Sequence, residues 1–489
     1  MTGKAEGGTR SADLEALRLL NAGRPAEALP FARQAAAAAR TCSPAHGLQA
    51  TILLRLGQAE EARALVAHAM SMPPGIGDAY DALAFVCVQL GDHETANRLY
   101  RRAAERTPGE ARFWYNLASS ERSLGRLTEA ESHCDRAIEL DAGHYQTYLL
   151  RSELRRQTEG RNHIEDMERL LANRPADDRA CMFLGYALGK ELDDLGLFDR
   201  AFGWFSRGAA ARRRHLAYDV GTDEQKLRRI QEVYAAAQPL DEALLRASRD
   251  CLFIIGLPRS GTTLLERILT RLPGVRSNGE TDNFSNALLA AAPAAGSDVF
   301  ARCSAADGGR IATRYRELAG LATGVKVIDK LPMNYLYVGA IRQALPGATL
   351  LLVERSPLDA CFAMFRTLFG AAYPFTYEFG ELARYYAAYA RLIQHWQRLF
   401  GDWMVRVRYA DLVSDPARQG AAIARSAGLA WNDEAIHIER NAGVSTTASA
   451  SQIRQPIYQS SVGRWRHYRA HLQPLVDALQ VAGVTEVES

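Results

Sequence analysis

Lysine is scarce in this chain. Of its 59 basic side chains only five are lysines, at Lys4, Lys190, Lys226, Lys326 and Lys330, so arginine supplies positive charge wherever an unspecified cation suffices. No apolar run approaches the roughly 18 residues a membrane-crossing helix requires, which excludes a helical membrane span. The opening stretch MTGKAEGGTRSADLEALRLL has no long apolar core and no cleavage site, so the expectation is a cytoplasmic chain without a signal peptide. The seven cysteines are odd in number and show no CxxC spacing, which argues against a disulfide framework or a zinc site. A net charge of +3 on 59 basic and 56 acidic residues leaves no basic excess for nucleic acid. At 489 residues, the chain has room for two or three domains.

A strict repeat occupies the first half. Gly23, Gly57, Gly91 and Gly125 lie 34 residues apart, and each is followed five positions later by alanine (Ala28, Ala62, Ala96, Ala130). Tyr80, Trp114 and Tyr148 recur in the same register. This period and pattern are the tetratricopeptide signature, helix–turn–helix units stacked into a superhelix. Gly160 and Gly196 continue the series at spacings of 35 and 36, but Glu165 replaces the fifth alanine, so the array degrades towards a junction near residue 237. Such an array offers a surface for a protein or peptide partner, or for a second copy of the chain as a homodimer.

Beyond Cys251 the pattern changes. Short apolar runs, LFIIG (252–256), VKVID (325–329), TLLLVE (349–354) and VRVRY (405–409), alternate with helical stretches. This alternation predicts a mostly parallel sheet with helices on both faces. Ligands of such sheets sit beyond the carboxyl ends of the strands, which singles out 256–263, Lys330, Arg355 and Tyr409.

The first of these places reads GLPRSGTT. Gly256 and Gly261 have the spacing of a phosphate-binding loop, but Thr262 stands where nucleoside-triphosphate enzymes carry lysine. The glycines let backbone N–H groups approach an anion at a helix N-terminus, Thr262 and Thr263 add hydroxyls, and Arg259 adds a planar fork. ATP with magnesium fits this loop poorly, and a shorter anion held without metal fits better. The expected architecture is thus a tetratricopeptide superhelix over 12–237, then a P-loop-like three-layer α/β domain over 248–489.

PRSGTT after an apolar strand resembles the 5′-phosphosulfate loop of sulfotransferases that use 3′-phosphoadenosine-5′-phosphosulfate (PAPS). Further segments of the second half follow in the same order: NGETDNF, VIDKLPMN, VERSPLDACFAMFR, VRVRYADLVSDP and SASQIRQPIYQSSVGRW. They resemble the tyrosylprotein sulfotransferases, and the repeats in front resemble bacterial tetratricopeptide-repeat sulfotransferases. The resemblance implies PAPS as co-substrate, no metal, and binding of its 5′ side by Pro258, Arg259, Ser260, Gly261, Thr262 and Thr263. It implies Glu280 as the base for the acceptor hydroxyl, Lys330 as stabiliser of the leaving phosphate and Ser449 as a serine near the sulfuryl group. It assigns Arg355, Arg366 and Arg464 to the 3′-phosphate and Tyr409 to the nucleotide. The scarcity of lysine singles out Lys330 independently, because a compact ammonium suits one bridging oxygen where a guanidinium suits two.

Departures from the family pattern bear on donor and acceptor alike. Ala363 and Ala410 stand where a serine and a glutamate are usual, with Ser356 and Thr367 as substitutes for the missing hydroxyl. Asp282 and Asn286 occupy the places of two arginines that read acidic peptides. A peptide tyrosine is favoured as acceptor, with glycans and small phenols open. Two other readings stay open: a repeat-based interaction scaffold with a degenerate nucleotide domain, and a P-loop small-molecule kinase.

Overall fold

The computed structural model describes residues 2–440 except 175 and 323, residue 443, and residues 454–487 except 486. The chain divides into two compact units, one within residues 1–157 and the other within 158–489.

The first unit is a run of helical hairpins: Thr2–Asn21 with Pro25–Ala38, Pro44–Arg55 with Ala59–Ser71, Gly77–Gln89 with His93–Arg106, and Ala111–Leu124 with Leu127–Leu140. The periodic glycines adopt left-handed backbone between the paired helices, with φ of 72°, 76°, 75° and 83°. Among the described residues, no non-neighbouring atom lies within 4 Å of a Cβ built on Gly23, Gly57 or Gly91, so there the glycine answers to backbone conformation rather than crowding. The periodic alanines are fully buried, which lets the second helix of each pair approach the first.

The second unit begins inside the degraded part of the repeat series. Gly160 lies in a reverse turn closed by a Thr158–Arg161 bridge, and Glu165 is exposed on the short helix Ile164–Ala172. Gly196 (φ 76°) restores the pattern between helices Asp178–Asp194 and Phe198–Arg214, with Ala201 buried. Helix Val220–Val233 follows and packs along the long helix Phe379–Phe400.

Five parallel strands form the sheet: β1 Cys251–Gly256, β2 Val275–Ser277, β3 Lys326–Asp329, β4 Thr349–Glu354 and β5 Met404–Arg408. Their order is β2-β3-β1-β4-β5. β1 is central and buried throughout. On one face Leu252 and Ile254 meet Leu265, Ile268 and Leu269 of helix Thr262–Leu269 and Ile423 of helix Pro416–Ser426. On the other, Phe253 packs against Phe284 and Tyr315, from helices Asn283–Ala291 and Gly308–Ala319. This is the three-layer arrangement expected from the alternating runs. After β3 the chain crosses to the other side of β1, which opens a crevice at the carboxyl ends of β1 and β4. β2 is the strand missing from the sequence reading.

Candidate active site

The loop after β1 is shaped by backbone that few residues tolerate. Gly256 (φ 149°), Arg259 (φ 66°) and Gly261 (φ 108°) all have positive φ. A Cβ on Gly256 would stand 2.5 Å from the Val353 carbonyl oxygen, so the loop can lie against β4 only with glycine there. Thr262 and Thr263 open the following helix and are buried. The Ser260 hydroxyl, on a residue 2 % exposed, has no hydrogen-bond partner among the described residues.

At the end of β3, the ammonium of Lys330 bonds the carboxylate of Glu280. The Lys330 side chain is fully buried, whereas Glu280 is 36 % exposed. The Lys330 amide also donates to the Gly279 carbonyl at 3.1 Å, which ties the two segments together. A second carboxylate, Glu266 on the loop's own helix, lies 3.6 Å from the Lys330 Nζ and accepts from the Ser277 hydroxyl at 2.5 Å. Next to Lys330, Asp329 is enclosed by Tyr315 Oη (3.2 Å) and Asn334 Nδ2 (2.9 Å), and burial pushes its carboxyl up to about 7.

At the end of β4, Arg355 donates to the carbonyls of Arg259 (3.2 Å) and Ser461 and stacks over the Tyr409 ring at 5.1 Å. Burial lowers its affinity for its proton, and its Nε has no partner among the described residues. Tyr409 Oη bonds Ser461 Oγ at 2.6 Å, and Asp359 accepts from the Gly463 amide at 2.8 Å. These contacts bind the late segment 461–463 to the loop.

Arg366 and Arg464 meet on one carboxylate. Asp193 Oδ2 accepts from Arg366 Nη1 at 2.8 Å and from Arg464 Nη2 at 2.5 Å, and Asp193 Oδ1 accepts from Tyr468 Oη. Burial alone would raise the Asp193 carboxyl, but the two guanidiniums outweigh it and hold it below its ordinary value.

Comparison with known proteins bears on this constellation. The sulfotransferase family model matches residues 251–433, and tetratricopeptide models match 43–68 and 88–145. An uncharacterized protein of Aquifex aeolicus (strain VF5) is 25% identical over 334 residues, covering 65% of this chain; the chain spans 44% of that relative. The sulfotransferase domain of the Synechococcus PCC 7002 olefin synthase is similar over 50% of this chain and 94% of its own, at 19% identity and a TM-score of 0.35. A tetratricopeptide repeat protein from Parabacteroides merdae is similar over 42% of this chain and 85% of its own, at 15% identity and a TM-score of 0.30.

Within the matched span 251–433 and its C-terminal continuation, the structure gathers Pro258 to Thr263, Arg355 and Tyr409 at the ends of β1, β4 and β5, and Glu280 with Lys330 at the end of β3. Arg366 and Arg464 meet through Asp193 and not through each other. Ser449 lies outside the described residues. Thr367, considered as a replacement for the hydroxyl missing at Ala363, donates to the Ala363 carbonyl at 2.9 Å. Sequence reasoning missed Glu266 and Asp193. Glu266 had a signal, a carboxylate in the apolar run TTLLERIL directly after the loop; Asp193 had none, since Asp-Asp at a helix end ordinarily faces solvent.

Proposed function

We propose that this protein transfers the sulfuryl group of PAPS to an acceptor hydroxyl by in-line displacement, with Glu280 as the base. The observation that carries this reading is the Glu280–Lys330 ion pair at the carboxyl end of β3, next to a phosphate-type loop that lacks the triphosphate lysine. The buried donors Ser260 Oγ, Arg355 Nε and Arg366 Nε, unpartnered among the described residues, suit an anionic donor nucleotide. PAPS supplies the activated sulfuryl group and a phosphate that leaves as an anion.

The chain's own contribution is position and charge. The loop from Pro258 to Thr263 cradles the 5′ side, and Arg355, Arg366 and Arg464 face the 3′-phosphate with Tyr409 against the nucleotide. Lys330, oriented by Glu280 and Glu266, holds its protons toward the leaving oxygen. The half-exposed Glu280 carboxylate takes the acceptor's proton. No metal has a part in this scheme. The repeats recruit a protein or peptide acceptor, with tyrosine favoured over a glycan or small phenol. Asp282 at the start of helix Asn283–Ala291 disfavours acidic flanks. The chain acts in the cytoplasm.

The test is transfer of label from sulfur-labelled PAPS into a cell extract and a phenol panel. Glu280→Gln is expected to lower transfer by about 10²–10⁴-fold. Undiminished transfer in that variant would remove Glu280 from the chemistry. One observation favours a second reading, a binding scaffold without transfer: Asp193 already neutralises Arg366 and Arg464. Tight binding of adenosine 3′,5′-bisphosphate with no transfer to any acceptor would support that reading.

A further inference from the structure

Asp193 stands on helix Asp178–Asp194, ahead of the matched span 251–433, yet it is the residue on which two segments of the site converge. Arg366 ends helix Pro357–Phe365, and Arg464 opens the short helix Arg464–Tyr468 after the late loop. Two guanidiniums this close repel each other and would turn apart into solvent without an anion between them. Asp193 supplies that anion. Its side chain is 7% exposed, and both oxygens are engaged, so the carboxylate is closed to a ligand.

Arg464 spends both Nε and Nη2 on Asp193, whereas Arg366 retains capacity. Arg366 lies between the Phe362 ring (5.3 Å to its centre) and the Phe205 ring (5.9 Å), spends Nη1 on Asp193, and leaves Nε buried without a partner among the described residues. Arg355, near enough to feel the Arg366 charge, also has a buried Nε without a partner among the described residues. One edge of the Arg366 fork is thus fixed by protein, while another donor remains for an outside anion.

We infer that Asp193 is a positioning residue of the donor pocket: from the last helical hairpin before the sheet, it sets Arg366 and Arg464 to receive the terminal 3′-phosphate of the donor nucleotide. This rests on the donor assignment proposed above. It makes the hairpin Asp178–Arg214 a working part of the site. A competing role for the same carboxylate, occupying the phosphate position until displaced, predicts the opposite sign when it is removed.

The experiment measures binding of adenosine 3′,5′-bisphosphate and of adenosine 5′-monophosphate to the full-length protein, by calorimetry, for the parent, Asp193→Asn and Tyr468→Phe. Asparagine preserves the shape of the side chain, and Tyr468→Phe removes one donor to Asp193 while sparing both arginines. Asp193→Asn is expected to weaken the bisphosphate by about tenfold to a hundredfold, the range for one hydrogen bond to a charged group. Binding of the monophosphate should stay within a factor of two or so of the parent's, since it lacks the 3′-phosphate. Tyr468→Phe should shift the bisphosphate in the same direction by a smaller factor. Equal or tighter bisphosphate binding in Asp193→Asn would overturn the inference, as would parallel loss of both ligands, the mark of a merely structural role. A parent protein that does not prefer the bisphosphate would overturn the donor assignment itself.

Discussion

The ring of Tyr409 fills the space that a side chain at residue 261 would need: a Cβ built on Gly261 comes within 2.3 Å of Tyr409 Cδ2. A residue beyond β5 thus closes over the loop beyond β1. Gly261→Ala should carry both this clash and a φ of 108° that alanine adopts at a cost of about 1–3 kcal/mol. The expected outcome is a lower Tm and a loss of bisphosphate binding larger than that of Tyr409→Phe, which keeps the ring. Parent-like values in both measurements would show that the loop can reshape without its glycine.

Stability should fall as pH rises between about 4 and 7, and Asp329 is the cause. Its folded-state value of about 7 lies above the ordinary 3.8, so the folded protein holds a proton that the unfolded chain has released across that window. The stabilisation is complete below about pH 4 and lost once pH passes 7, on the order of 4 kcal/mol at most. Denaturant midpoints measured across this range should show the slope, and Asp329→Asn should flatten it while leaving the protein no less stable at pH 8. An unchanged slope in that variant would assign the pH dependence to other groups.

Where the chain can be cut follows from packing rather than from the repeat period. A fragment starting at residue 158 keeps Tyr186 Oη on the Phe365 carbonyl (3.1 Å), the paired Arg213–Glu381 contacts at 2.7 Å, and His395 on the Tyr234 carbonyl (2.9 Å). It also keeps Phe202 stacked on Phe365 and His471. A fragment starting at residue 238 loses all of these and bares an apolar face. The first should unfold cooperatively as a soluble monomer or dimer, and the second should aggregate, as read by gel filtration and thermal denaturation. Equal behaviour would make helices 164–233 dispensable to the sheet.

What was legible in the sequence had an uninterrupted local pattern. The glycines at 34-residue spacing mark left-handed turns because nothing is inserted between units, and GLPRSGTT declares its loop because every residue that shapes it is contiguous. β2 escaped notice because Val275–Ser277 is three residues long and only partly buried, too short for a period. Asp193 could not be found because its partners lie at 366, 464 and 468, and its own stretch belongs to the degraded repeats. Glu266 was within reach: a carboxylate amid leucines on a helix, 8 % exposed, needs partners, and Ser277 and Lys330 are those partners.

The strand order has a consequence for how a nascent chain matures. Each helical hairpin of the first unit closes on residues made moments before, so it can fold while synthesis continues. β1 cannot. Its neighbours are Val327 and Thr349 in the registers with Cys251 and Leu252, so CLFIIG emerges from the ribosome with nothing to pair with. That segment, uncharged and rich in β-branched and aromatic residues, is an aggregation hazard until its neighbours arrive. The loop it carries is accordingly encoded early in its domain but locked late, only after Tyr409 has been translated.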